Sequence, residues 1–363
     1  MDHTEDRLRY ILTKVNPLDV DAIKAAKSRQ ASLAKPPGSL GRLEELSIQL
    51  AGITGKVNNE LKNKRILVFC ADNGVVEEGV ACAPRSVTSA QAINLTRGVT
   101  GASVLARRFG CELSVCDVGV NADVSDSRII DRKIAYGTGN IAHGAAMSRE
   151  QAVQAILTGY ELAVDSVRDG ADVIGVGEMG IGNTTTSSAV VSVITGKPVP
   201  EVTGRGGGLT DEMFIKKLSV IETAIKLNRP DANDIVDVLA KVGGFDIAAM
   251  TGAFIGAAVM RIPAVIDGFI SAVAALCACR LCPNTHAYLI PSHASFEIGY
   301  RVAMEALELE PLFDLGMRLG EGSGCPIAMM MLDAACAVMN DMATFEEAGI
   351  DDGYLDEIRN INP

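Results

Sequence analysis

Tryptophan is missing from this 363-residue chain, and Phe and Tyr together make up only 4% of it. Lys and Arg number 33 against 45 Asp and Glu, and no stretch gathers them into a dense basic run. A nucleic-acid groove asks for a basic stripe, so that class of partner is excluded. Long apolar runs are lacking too. The richest, Phe269 to Leu276, is short and is followed by Arg280, so no span of a bilayer is expected. The N-terminus, MDHTEDRLRYILTKV, has no apolar core of the kind a secretory leader carries. Histidine occurs only at 3, 143, 286 and 293. Nine cysteines (70, 82, 111, 116, 277, 279, 282, 325 and 336) form an odd, irregular set, which reads as reduced thiols in the cytoplasm. Cys279 and Cys282 have C-x-x-C spacing with Cys277 close by, but a fourth ligand is wanting. They read as small residues of a buried helix, and no metal is expected.

What the chain does have is apolar content of 48%, enough for a large core as one domain or a domain with a smaller lobe. Its net charge of −12 speaks to solubility rather than fold. Residues 1–60 carry helical periodicity at 19–33 and 43–51, with the rigid turn KPPGSLG (35–41) between. Then short β-branched runs take over: RILVFCAD (65–72), ELSVCDVG (112–119), ADVIGVGE (171–178), PAVIDG (263–268) and HAYLIPSH (286–293). Helical stretches are expected at 86–109, 149–169, 211–227, 245–260 and 269–280. Strands alternating with helices predict an α/β fold, a three-layer α/β/α arrangement with a mostly parallel sheet. From about 301 the chain turns helical again. The expected organisation is one catalytic unit over 1–363, with a large α/β lobe at 61–300. A small helical lobe is built from both chain ends, 1–60 with 301–363.

Three glycine-rich loops carry the candidate chemistry. VGEMGIGNTTTSS (176–188) sets one acid, Glu178, among glycines and hydroxyls ahead of a helix expected from 189 to 195. Bare backbone N–H groups and a helix N-terminus suit a phosphate, although no GK[ST] follows; Asn183 and Thr184 are alternatively plain caps. TGRGGGLTDE (203–212) opens another helix, which Thr210 or Asp211 can cap. There Arg205 can pair with an anion, and Phe214, Leu218, Ile221 and Ile225 form the expected core stripe. Lys216 and Lys217 both stand in reach of a phosphate, and spacing does not choose between them. SHASFE (292–297) offers Ser295 to a phosphate, or Ser292 or Ser295 as a cap. LGEGSGCP (319–326) embeds a second acid, Glu321, ahead of the apolar helix IAMMMLDAACAVM. An acid held out of water there is suited to general-base work. No Ser-His-Asp set and no carboxylate cluster for Mg²⁺ stands out. The pattern points to a phosphorylated small molecule undergoing proton-assisted chemistry.

GEMGIGNTT, TGRGGGL and LGEGSG together resemble the nicotinate-nucleotide–dimethylbenzimidazole phosphoribosyltransferase family of cobalamin lower-ligand assembly. KPPGSLGRLEEL, ADNGVVEEGV, SVTSAQ, VGVNAD, GTGNIA, VGGFDIAAMTGA, VIDGF and SHASFE read like further family motifs in family order, so the resemblance covers about residues 15–345. It implies transfer of ribose 5-phosphate from nicotinate mononucleotide to 5,6-dimethylbenzimidazole, with inversion at the anomeric carbon and no cofactor or catalytic metal. It implies Glu321 as the base, Glu178 near the ribose and Asp267 holding the local network. Lys217 is implied for the phosphate, with backbone from Gly180, Gly206, Gly208 and Gly324 and the Ser295 hydroxyl. Gln91 and Met179 line the base pocket. At Ala83 some relatives carry a polar residue that touches the acceptor, so other benzimidazoles, adenine or phenols stay open as acceptors. The partners implied are small-molecule substrates and a second copy in a homodimer, with a heterodimer of paralogous subunits as the alternative. A non-catalytic sensor of nicotinate mononucleotide is the reading from another class; it keeps the phosphate loops and does not need Glu321.

Overall fold

The computed structural model describes residues 3–355. Six strands form one parallel sheet: β1 (Lys64–Ala71), β2 (Cys111–Gly119), β3 (Ile129–Asp131), β4 (Val173–Met179), β5 (Ala264–Ile266) and β6 (Leu289–Pro291), in the order β3-β2-β1-β4-β5-β6. Side chains alternate along a strand, and β1 is apolar on both faces. Ile66, Val68 and Cys70 enter a core with Ala92, Ala102 and Met329. Leu67, Phe69 and Ala71 enter the opposite core with Ile156, Val190 and Phe254. Helices therefore cover both faces, and the expected α/β architecture is the one observed.

One face is held by an unusually close helix pair, Arg149–Arg168 and Phe245–Val259. A side chain at Gly159 would strike the Ala249 carbonyl, and one at Gly252 the Ile156 carbonyl. The chain ends meet on the other side. Arg29, in helix Val20–Ser32, donates to the carbonyls of Met339 and Met342 at 3.3 Å each. Ala26, Ala51 and Met339 share a small core there. The first helix, His3–Leu12, lies instead against the Arg149–Arg168 helix through Arg7–Glu161 and Arg149–Glu5 ion pairs. Among the described residues no helix is long and apolar enough to cross a membrane.

Several expected elements are redrawn. The helix expected over 86–109 is two, Ser86–Arg97 and Gly101–Arg108. Gly98 takes a left-handed conformation that ends the first, and Thr100 caps the second in a capping box with Ser103. Helix Asn183–Thr195 starts six residues before the expected 189, so most of the hydroxyl row is helix rather than loop. Gly182 is its N-cap, with no side-chain cap from Asn183 or Thr184. Residues 283–288 are a 3₁₀ turn, leaving β6 only three residues. Strand β3 and helix Ile235–Val242 had no counterpart in the sequence reading. β3 is too short to show a period, and IVDVLAKV is β-branched enough to mask its helix.

Candidate functional site

The strand order reverses direction of growth between β1 and β4. In open α/β sheets ligands bind beyond the carboxyl ends of the strands at such a switch point. A cavity of about 240 Å³ lies there, walled among others by Glu178, Thr184, Gly206, Asp267, Ser295 and Glu321. Met179, Gly180, Ala83 and Arg205 also line it. Gln91 and Lys217 reach it through the residues they hold. Gly208 is exposed between two lining residues, Gly207 and Leu209, and the Gly324 amide is occupied by Asp267; neither glycine is itself part of the wall.

Glu178 is the penultimate residue of β4 and is 7% exposed. Its Oε2 accepts from the Asn183 amide, which also donates to Asp246 Oδ2 at 3.0 Å. Burial pushes the Glu178 carboxyl up to about 8, with the neighbouring Asp246 charge adding to it. Burial likewise raises Asp246 to about 6, against hydrogen bonds that favour its charged form. A strand-end acid thus shares one amide with an acid from the Phe245–Val259 helix.

The two adjacent lysines are placed differently. On helix Asp211–Asn228 the inward face is Lys217, Val220, Ile221 and Ala224, while Lys216 is exposed. Of the expected core stripe, Ile221 is fully buried, Leu218 and Ile225 are half-buried against the same core, and Phe214 is half-buried under Arg205. Lys217 is 1% exposed, and its Nζ donates to Thr184 Oγ1 at 2.9 Å and the Gly204 carbonyl at 3.1 Å. Burial lowers its pKa to about 8, partly opposed by the Glu297 carboxylate. Thr210 caps the helix, and Arg205 is paired with Asp211 at 2.5 Å. The helix after SHASFE, Ile298–Leu307, has Glu297 at its N-cap position with no side-chain cap, so neither Ser292 nor Ser295 caps it.

Glu321 is built differently. It is 5% exposed and stands at φ +64, a left-handed conformation uncommon for a residue with a side chain. Its Oε1 accepts from Gln91 Nε2 at 2.7 Å, while Oε2 is buried without a hydrogen-bond partner among the described residues. The loop is drawn down by Asp267, whose oxygens accept from the amides of Gly322 (3.0 Å) and Gly324 (2.6 Å). Burial raises Asp267 to about 7, against the pull of those amides. Gly177 makes the approach possible: a side chain there would overlap the Gly322 backbone.

Asp246, His293 and Glu297 were not singled out from the sequence, although each touches this site. A charged residue inside the apolar run FDIAAM was the available signal for Asp246, since an acid is rarely fully buried without partners. Among the described residues no group of three or more His, Cys, Asp or Glu is placed to hold a metal ion.

The chain is similar to known proteins over nearly its whole length. A family profile described as phosphoribosyltransferase matches residues 15–350. The chain is 48% identical over 353 residues to the nicotinate-nucleotide–dimethylbenzimidazole phosphoribosyltransferase of Clostridium tetani, covering 97% of this chain and 98% of that one. It is 50% identical over 340 residues to the protein of the same name from Ruminiclostridium cellulolyticum, covering 94% and 97%. Among solved structures, CobT from Thermus thermophilus superposes with a TM-score of 0.88 at 38% identity, covering 92% of this chain and 100% of that chain.

Proposed function

The chain belongs to the phosphoribosyltransferase family whose profile it matches, and from that premise we propose how it moves ribose 5-phosphate from nicotinate mononucleotide to 5,6-dimethylbenzimidazole in cobalamin synthesis. The observation that carries the reading is Glu321: one carboxylate oxygen is fixed by Gln91 and the other is buried with no hydrogen-bond partner among the described residues. An unpaired buried oxygen of that kind is poised to take a proton. A benzimidazole nitrogen attacks the anomeric carbon as the C1′–nicotinate bond breaks. The electron pair of that bond returns to the pyridinium ring, and Glu321 Oε2 takes the N–H proton of the benzimidazole. The products are nicotinate and α-ribazole 5′-phosphate, inverted at the anomeric carbon.

The other groups divide the donor between them. Lys217, Gly206 and Ser295 take the phosphate, whose charge keeps the dry lysine protonated. Glu178 meets the sugar and its pyridinium; that cation favours the ionised carboxylate, which then stabilises positive charge developing at the anomeric carbon. Asp267 is a positioning residue that fixes the height of the Glu321 loop.

A wider acceptor range is supported by two observations. The Ala83 side chain at the cavity carries no polar atom, and the Gln91 amide is engaged with Glu321. The test is incubation with nicotinate mononucleotide and equal amounts of dimethylbenzimidazole, adenine and p-cresol, with products identified by mass spectrometry. α-Ribazole phosphate that disappears in Glu321→Gln is the expected result. A purine or phenolic product moves the acceptor, and absence of nicotinate release with every acceptor sinks the transfer in favour of the sensor.

We also read the protein as a cytoplasmic homodimer of single catalytic units, each with a large lobe at 61–300 and a small lobe from both ends. Supporting the dimer, Leu319 at the cavity lies exposed beside the Gly101–Arg108 helix, where Val104 is exposed as well. Light scattering at twice the 38.1 kDa chain mass is the expected outcome. Nine free thiols suit a reducing compartment.

A further inference from the structure

His293 follows β6 and is 1% exposed, yet its ring lines the cavity. Its protonation follows from its neighbours. A hydroxyl carries one proton, and that of Ser292 goes to the Asp267 carbonyl at 2.8 Å, a group that can only accept. Ser292 Oγ also lies 3.0 Å from His293 Nδ1, so there the ring N–H donates and the hydroxyl accepts. The tautomer is thereby set, and Nε2 is left as a bare acceptor. Burial pushes the imidazole pKa down to about 4, partly opposed by Asp314, so the ring stays neutral near pH 7.

The ring is also immobilised. Leu312 N donates to the Ser292 carbonyl and Ala294 N to the Phe313 carbonyl, both at 2.8 Å, and the Phe313 ring packs beside the imidazole. Gly324 lies so close that a side chain there would overlap Nδ1 and Ser292 Oγ. The opposite edge looks across Gly268: a side-chain carbon on that glycine would stand 3.7 Å from both Nε2 and Ser295 Oγ. A fixed acceptor therefore sits between the Ser295 end of the cavity and the Asp267–Glu321 end. A sugar phosphate joining those two ends lays its ribose across this position.

We infer that His293 Nε2 accepts a hydrogen bond from a ribose hydroxyl of the sugar-phosphate donor, making it a donor-binding residue that also reports the sugar's identity. The inference rests on the transfer reading above. It gives the SHASFE segment a role beyond the serine, and it predicts discrimination against deoxyribose donors.

The test is steady-state kinetics of the wild type, His293→Asn and His293→Gln with nicotinate mononucleotide and its 2′-deoxy and 3′-deoxy forms. Asparagine keeps a donor towards Ser292 and loses the acceptor at Nε2; glutamine restores an acceptor near that place. His293→Asn should raise the donor KM about tenfold and leave the acceptor KM unchanged, the size of one lost hydrogen bond. His293→Gln should recover most of that. One of the two deoxy donors should cost the wild type a similar factor, ~tenfold, and cost His293→Asn nothing further. The inference is overturned if the donor KM is unchanged in His293→Asn, or if each deoxy donor costs that variant as much as it costs the wild type. A purely structural role would lower both variants' melting temperature and leave the sugar selectivity intact, which also overturns it. A wild type that releases no nicotinate with any acceptor is a separate result: it removes the transfer reading itself.

Discussion

The two glycine-flanked acids look alike in sequence and are built in opposite ways. Glu178 ends a strand, shares the Asn183 amide with Asp246, and is pushed by burial to about 8. Glu321 stands on a loop in a left-handed conformation, with one oxygen held by Gln91 and the other unpartnered among the described residues. Regular structure gives the first acid a shared, proton-retaining setting. A strained loop, pinned from below by Asp267, gives the second a free oxygen. The lesson is that an acid's role here follows from what binds its two oxygens more than from the residues flanking it.

Exchanging each acid for its neutral isostere breaks the comparison most sharply. Glu321→Gln should lower kcat by ~10²–10⁴, the usual worth of a general base, with the donor dissociation constant unchanged. Equal kcat losses in Glu321→Gln and Glu178→Gln would deny them distinct roles. Next comes Asp267→Asn, which turns an NH₂ group towards one of two loop amides. Stability should drop by about 1–3 kcal/mol for the buried unsatisfied donor. kcat should fall ~10- to 100-fold as Glu321 shifts from its place. A normal kcat in a variant that melts early would separate the loop anchor from the chemistry.

The third prediction concerns pH. Glu178 has its pKa raised from 4.5 to about 8 on folding, so the folded state holds a proton that the unfolded chain releases. Stability from that proton is complete below 4.5 and drains away as pH rises to about 8. Thermal melts of the donor-free protein should therefore fall over that window, and Glu178→Gln should flatten the decline. An unchanged slope in the variant would assign the decline to Asp246 and Asp267, which are raised in the same direction. The smallest effect on stability is expected from Glu321→Gly. Relief of the left-handed strain, roughly 1 kcal/mol, offsets the extra freedom glycine gives the unfolded chain. Chemical denaturation should find this inactive variant within about 1 kcal/mol of the wild type, whereas a loss of several would show that the Gln91 contact carries stability too.

The alternation of strands and helices was legible because β1, β2 and β4 are long and apolar. Strand β3 was not, and the break at Gly98 was hidden inside a run that is otherwise helical. At the site, Glu178 and Glu321 stood out as lone acids among glycines, and the resemblance supplied Asp267, Gln91 and Lys217. What spacing cannot convey is contact across the chain. Gln91 and Glu321 are 230 residues apart, and Asp267 meets loop amides 55 and 57 residues downstream. His293 read as the end of a strand because its meaning depends on a hydroxyl and a carbonyl folded against it. Gly208 and Gly324 belonged to glycine motifs, yet one is exposed and the other's amide is bound to Asp267.

The burial of Glu178 and Lys217 also turns donor capture into an exchange with the solution. Before the donor arrives, Glu178 retains its proton near neutral pH and Lys217 is close to losing one. A pyridinium arriving beside the acid and a phosphate beside the amine reverse both tendencies. The heat released on mixing protein and donor therefore includes the buffer's own enthalpy of ionisation. Calorimetry in phosphate and in Tris should disagree by an amount that counts the protons moved, and Glu178→Gln should change that difference.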